Sequence, residues 1–91
     1  MKKHRSRIKL LIDILDTIYE DNETNLSLIS LKANIPYTRL KPIIDKLHKN
    51  GLILMKRKDK KTTEISLTEK GLKMFIELKS FYKILNQLGL D

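Results

Sequence analysis

The stretch LKANIPYTRLKPIIDKLHKNG, residues 31–51, constrains this chain more than any other. Leu40, Ile43, Ile44 and Leu47 recur at the spacing of one helical face, so a helix is expected over about 37–50. Asn50-Gly51 supplies its stop, because glycine closes helix ends in the left-handed backbone region. Asn34 suits a tight turn just before it, since asparagine tolerates that same region better than most residues. A short preceding helix, capped by Thr24 or Asn25 and burying Leu28, Ile29 and Leu31, makes the pair a helix-turn-helix. Pro42 lies inside the second helix, where its ring removes one backbone bond and crowds the carbonyl of Thr38. That carbonyl is in the first turn and faces outward, within reach of water. A loosened or kinked first turn is therefore expected, not a lost helix.

The flanking segments extend the pattern. Ile8, Leu11, Ile12, Leu15, Ile18 and Tyr19 form one face of a first helix over 6–20, while Leu10 and Ile14 fall outside that stripe and require a second neighbour. Asp13, Asp16 and Glu20 lie away from the stripe and read as solvated surface. Residues 52–57 and 62–67 read as two strands joined by a charged hairpin, with Ile65 and Leu67 alternating with Glu64 and Ser66. Thr68 caps a last helix over 69–88, and Glu69 sits favourably at its positive end. Helix, helix, turn, helix, hairpin, helix is the order of a winged helix-turn-helix: mainly α, with a small β-hairpin and a long C-terminal helix. Residues 1–68 make the winged domain with a basic arm, and 69–91 a dimerisation helix, in one compact unit.

Composition narrows the function. Cysteine is absent, which excludes disulfides and thiolate metal sites, and no apolar run approaches the length of a membrane span. The N-terminus lacks a signal-peptide layout, and a cytoplasmic, nucleoid location is expected. Lys and Arg outnumber Asp and Glu by 19 to 11, a formal net charge of +8, which points to a polyanionic partner. The charge is clustered at Lys2, Lys3, Arg5, Arg7 and Lys9, and again in KRKDKK at 56–61. Nucleic acid is the leading candidate.

Three segments, KKHRSRIKLLIDIL, LKANIPYTRL and SLTEKGLKMF, resemble the archaeal 10-kDa chromatin-type winged-helix DNA-binding proteins. The resemblance covers nearly the whole chain. It implies a dimeric, sequence-tolerant DNA binder, acting as a nucleoid protein or regulator, whose last helix pairs as an antiparallel coiled coil.

The residues suggest how a duplex would be held. In a helix-turn-helix the second helix enters the major groove. Its outward face presents Thr38, Pro42, Asp45 and Lys49, flanked by Arg39, Lys41 and Lys46. Tyr37 can reach a phosphate, and Arg39 is the candidate for a guanine edge, which a guanidinium meets with two hydrogen bonds. Asp45 is expected to pair with Lys41 or Lys49. The hairpin carries Lys56, Arg57, Lys58, Lys60 and Lys61, a density suited to a minor groove or its phosphates. Lys2, Lys3, Arg5 and Arg7 are expected to act as a flexible arm.

The last helix is expected to pair with a second copy. Leu72 and Ile76 face its own domain, whereas Met74, Phe75, Leu78, Phe81, Tyr82, Leu85 and Leu88 form a broad apolar stripe. Phe75, Leu78, Tyr82 and Leu85 follow coiled-coil spacing, and Leu10 and Ile14 offer a second surface to the dimer. No enzyme is expected, because His4 and His48 have no partners at metal or triad spacing. No metal, cofactor, small-molecule ligand or membrane is expected either. The alternative reading is a winged-helix protein–protein interaction module, which calls for an apolar or acidic face on the second helix of the pair, unlike the one present.

Overall fold

The computed structural model describes residues 5–21 and 23–90. Its order is α1 (Arg7–Glu20), α2 (Leu26–Ala33), α3 (Tyr37–Lys49), β1 (Ile53–Arg57), β2 (Thr63–Leu67) and α4 (Glu69–Gln87), a winged helix-turn-helix. Local chemistry sets the boundaries. The side chains of Ser6, Asn25 and Thr68 accept from the amides of Lys9, Leu28 and Gly71, each capping the helix that follows. Asn34 turns the chain between α2 and α3 at φ 55° and ψ 55°, and Gly51 follows α3 at φ 72°. The helix α3 runs unbroken through Pro42, which is exposed, as is Thr38, whose carbonyl gets no donor from the proline nitrogen.

The core is built around α1, which packs against α2, α4 and β2. It is therefore apolar on more than one face. Leu10, Ile12, Ile14, Leu15 and Ile18 are all buried, Ile14 at 0 % exposure. This corrects the single stripe read from periodicity: Leu10 and Ile14 belong to the core of one chain and offer nothing to a second copy. Their second neighbour is inside the protomer. Tyr19 and Leu31, expected inside, are exposed.

The strands β1 and β2 pair antiparallel with Ile53 opposite Leu67 and Met55 opposite Ile65. Thr24 adds an isolated antiparallel bridge to β2: its carbonyl accepts from the Ile65 amide at 2.7 Å, tying the α1–α2 loop to the wing.

The start of α4 is locked to the end of α3. The Thr68 hydroxyl donates to the Gly51 carbonyl at 2.6 Å, and Lys70 Nζ donates to the Asn50 carbonyl at 3.0 Å. A β-carbon at Gly71 would lie 1.9 Å from the Leu52 carbonyl oxygen, so only glycine permits this approach. That accounts for the TEKG sequence. Further along, Phe75 is 2 % exposed and its ring meets Tyr19 at 5.6 Å between centroids. Leu78 and Tyr82 pack on the same core. The first three positions of the coiled-coil spacing, Phe75, Leu78 and Tyr82, thus pack on the chain's own domain, Phe75 fully and the other two in part. Phe75 is corrected from a dimer contact to a core residue, because the winged domain covers the first half of α4. Ile76, expected to face the domain, is 56 % exposed.

Candidate nucleic-acid interface

The outward face of α3 emerges as the periodicity requires. Thr38, Pro42, Asp45 and Lys49 are exposed, as are Tyr37, Arg39 and Lys46 on its flanks. Lys41 is half-buried, and its Nζ donates to Asp45 Oδ1 at 2.8 Å. That bond holds the Lys41 ammonium above its ordinary pKa. The pair cancels its own charge, so Arg39, Lys46 and Lys49 carry the positive potential of this helix.

Two grooves run beside α3. One, of about 550 Å³, lies between the start of α2, the start of α3 and the wing, and brings Ser27, Tyr37, Lys41, Lys61 and Thr62 together. The other, of about 560 Å³, lies between α3 and α1 and brings Arg7 beside Arg39 and Lys46. Cations from α1, α3 and the wing therefore border the same helix.

The wing tip is organised by an acid. Asp59 Oδ1 accepts from the amides of Lys61 and Thr62, each at 2.8 Å, and these two bonds hold its carboxyl below the usual aspartate pKa. The Arg57 guanidinium donates to the carbonyls of Asp59 and Lys60 at 3.3 and 3.0 Å. Arg57 is thus engaged in closing the tip, and it stays exposed. Lys56, Lys58, Lys60 and Lys61 remain exposed. In the sequence alone Asp59 reads as an interruption of the basic run KRKDKK. Its signal was available, since aspartate folding back on the amides two and three residues ahead is a common turn device.

The basic N-terminus divides. Arg5 is not an arm residue: its Nη1 donates to Asp13 at 2.9 Å and to the Ala33 carbonyl at 2.6 Å, and its Nη2 to the Asn34 carbonyl at 2.8 Å. It answers the unpaired carbonyls at the negative end of α2 and fastens α1 to the turn. Lys9 bonds Asp13 at 2.8 Å, which raises its pKa. Arg7 is exposed. Lys2 and Lys3 lie outside the described residues.

The second half of α4 leaves an apolar strip. Phe81, Ile84 and Leu88 are 50 %, 50 % and 65 % exposed, with Leu85 half-buried beside them. Ile84 is not among the residues that the sequence assigns to the stripe, yet it lies on the same strip. Met74 is half-buried and lines the groove beside α3. Among the described residues no His, Asp and Glu group is placed to hold a metal ion, and no helix is long and apolar enough to cross a membrane.

Comparisons with known proteins agree on the architecture. A family profile described as winged helix-turn-helix matches residues 4–86. No curated protein sequence matches. Among solved structures, Sso10a-2, a DNA-binding protein from Sulfolobus solfataricus, superposes with a TM-score of 0.81 at 24% identity, over 92% of this chain and 85% of that one. AF1382 from Archaeoglobus fulgidus gives 0.72 at 26% identity, over 88% and 90% of the two chains. MepR, a transcription regulator of the Staphylococcus aureus multidrug efflux pump MepA, gives 0.74 at 16% identity over 87% of this chain. This chain spans 60% of the length of MepR.

Proposed function

Because the chain belongs to the winged helix-turn-helix family, we propose that it binds double-stranded DNA, as a homodimer, mainly through phosphate contacts. One observation carries this reading: Arg7, Arg39, Lys46 and Lys49 stand exposed on or beside α3, the wing lysines are exposed with Lys61 bordering the groove next to α3, and none of them has a carboxylate partner among the described residues. Unpaired cations beside a helix of groove-entering kind are what a polyanion requires. Arg39 takes the base-edge role, since its guanidinium is not engaged elsewhere among the described residues. Phosphate contacts fix position and carry little sequence information, so binding is sequence-tolerant.

The resemblance of the basic start, the turn and the TEKG segment to archaeal chromatin-type proteins supports a regulator or nucleoid-associated role. So does the likeness of fold to Sso10a-2, which is a DNA-binding protein. Residues 1–68 make the DNA-binding part and 69–91 the pairing part. The strip of Phe81, Ile84, Leu85 and Leu88 supplies the dimer contact, because four apolar side chains on one flank otherwise remain in water. Two binding domains on one connector raise avidity on a duplex or bridge two duplexes.

Titration of a random duplex at several salt concentrations tests the reading. With about six phosphates neutralised, log affinity falls against log salt with a slope of about −5. Sedimentation of the same protein gives twice the mass of one chain. A salt-insensitive complex sinks the electrostatic reading, and a single-chain mass sinks the dimer.

A further inference from the structure

The groove between α1 and α3 has more to it than cations. Leu10 and Leu11 of α1, Ile43 of α3 and Met74 of α4 give it an aliphatic floor, and the exposed Pro42 ring extends that surface to the rim. Arg7, Arg39 and Lys46 stand around the same space, and no acidic side chain lines it. None of those three cations has a carboxylate in reach among the described residues.

A phosphodiester backbone engages the cations and gains nothing from an aliphatic floor. A small hydrophobic carboxylate satisfies both halves of the lining, because its body leaves water while its head bonds a guanidinium in two-pronged fashion. The volume of about 560 Å³ fits such a molecule and is far too small to seat a partner domain. We propose that this groove binds a small hydrophobic carboxylate, whose head competes with DNA for Arg39 and Lys46. The competition rests on the reading of α3 as a DNA surface; the groove's own affinity does not. On this view Pro42 lends the groove a flat apolar edge.

The probe is 2-naphthoate, titrated into the free full chain by calorimetry and methyl NMR, with uncharged 2-naphthamide as control. Shifts concentrated at the methyls of Leu11, Ile43 and Met74 are expected. Binding weakens about tenfold or more for the amide and for Arg39→Gln, whose exposed site leaves the fold intact. Met74→Gln weakens naphthoate binding by a similar factor and binds duplex like the parent. Saturating naphthoate raises the apparent Kd for a labelled duplex about fivefold or more. Equal binding of acid and amide, or absence of those methyl shifts, overturns the site. Binding that leaves the duplex affinity unchanged overturns the competition. A chain that binds no duplex without naphthoate defeats the DNA reading alone, and the titration of free protein still decides the groove.

Discussion

The two basic clusters, at the N-terminus and on the wing, look alike in charge and differ in what surrounds them. Arg5 and Lys9 meet Asp13, and Arg5 also meets two carbonyls at the end of α2. Arg5 thereby fastens the start of α1 to the end of α2, while the charge of Lys9 is answered within α1 itself. In the wing-tip run KRKDKK the single acid, Asp59, accepts from backbone amides, so it folds the tip without forming an ion pair with any of the lysines beside it. A cation's role is set by the acceptors within reach of it. Fixed acceptors inside the protein make it part of the fold, and their absence leaves it for a polyanion.

Substitutions on each side test this contrast. The largest effect is expected on the wing, where changing Lys58, Lys60 and Lys61 together to alanine removes three of the cations proposed to meet phosphate. Affinity for a duplex then falls about a thousandfold near 0.1 M salt, and the salt slope becomes shallower by about 2.7. Thermal unfolding should barely move, and an unchanged slope would take the wing off the duplex. Arg5→Ala reverses the pattern. Loss of its charged hydrogen bonds costs about 2 kcal/mol, lowering Tm by about 10 °C in a domain of this size, with the salt slope unaltered. A shallower slope with an intact Tm would return Arg5 to the DNA.

The smallest effect is the protonation of Asp59. Its folded pKa is depressed by the amides of Lys61 and Thr62. The stabilisation it gives the tip is therefore present above the unfolded-state pKa and is lost as pH falls through the lower, folded one. In an NMR titration the Asp59 carboxyl should have its midpoint below the ordinary aspartate range. The amides of Lys61 and Thr62 should lose their hydrogen-bonded shifts over that same interval, while α1 is undisturbed. A midpoint at the ordinary value would mean that the tip is held by Arg57 alone.

Some features were legible because their causes are local. The Asn34 turn, the Asn25 and Thr68 caps, the Gly51 stop and the Lys41–Asp45 pair each depend on residues within a few positions of one another. Others were misread because a pattern was correct and its partner was not. The spacing of Phe75, Leu78 and Tyr82 marks a helix face that packs on another helix, yet spacing does not say whether that helix belongs to the same chain. The geometry of Gly71 against Leu52 brings α4 alongside its own domain, and the face is covered there. Leu10 and Ile14 were set apart from the stripe for a similar reason. A helix enclosed on several sides has no single stripe. Arg5 reaches partners up to 29 residues away, a distance at which no periodicity operates.

By itself the sequence determined the order of helices and strands, the turn between α2 and α3, and the excess of positive charge, since backbone preference, capping and composition act over short range or over none. Tertiary structure decided which apolar face of α4 is covered and which is left bare, which cations are tied down, and that three of the remainder surround an aliphatic groove. Those outcomes depend on which distant segments share a boundary once the core has closed, and burial and pairing energies are settled only there.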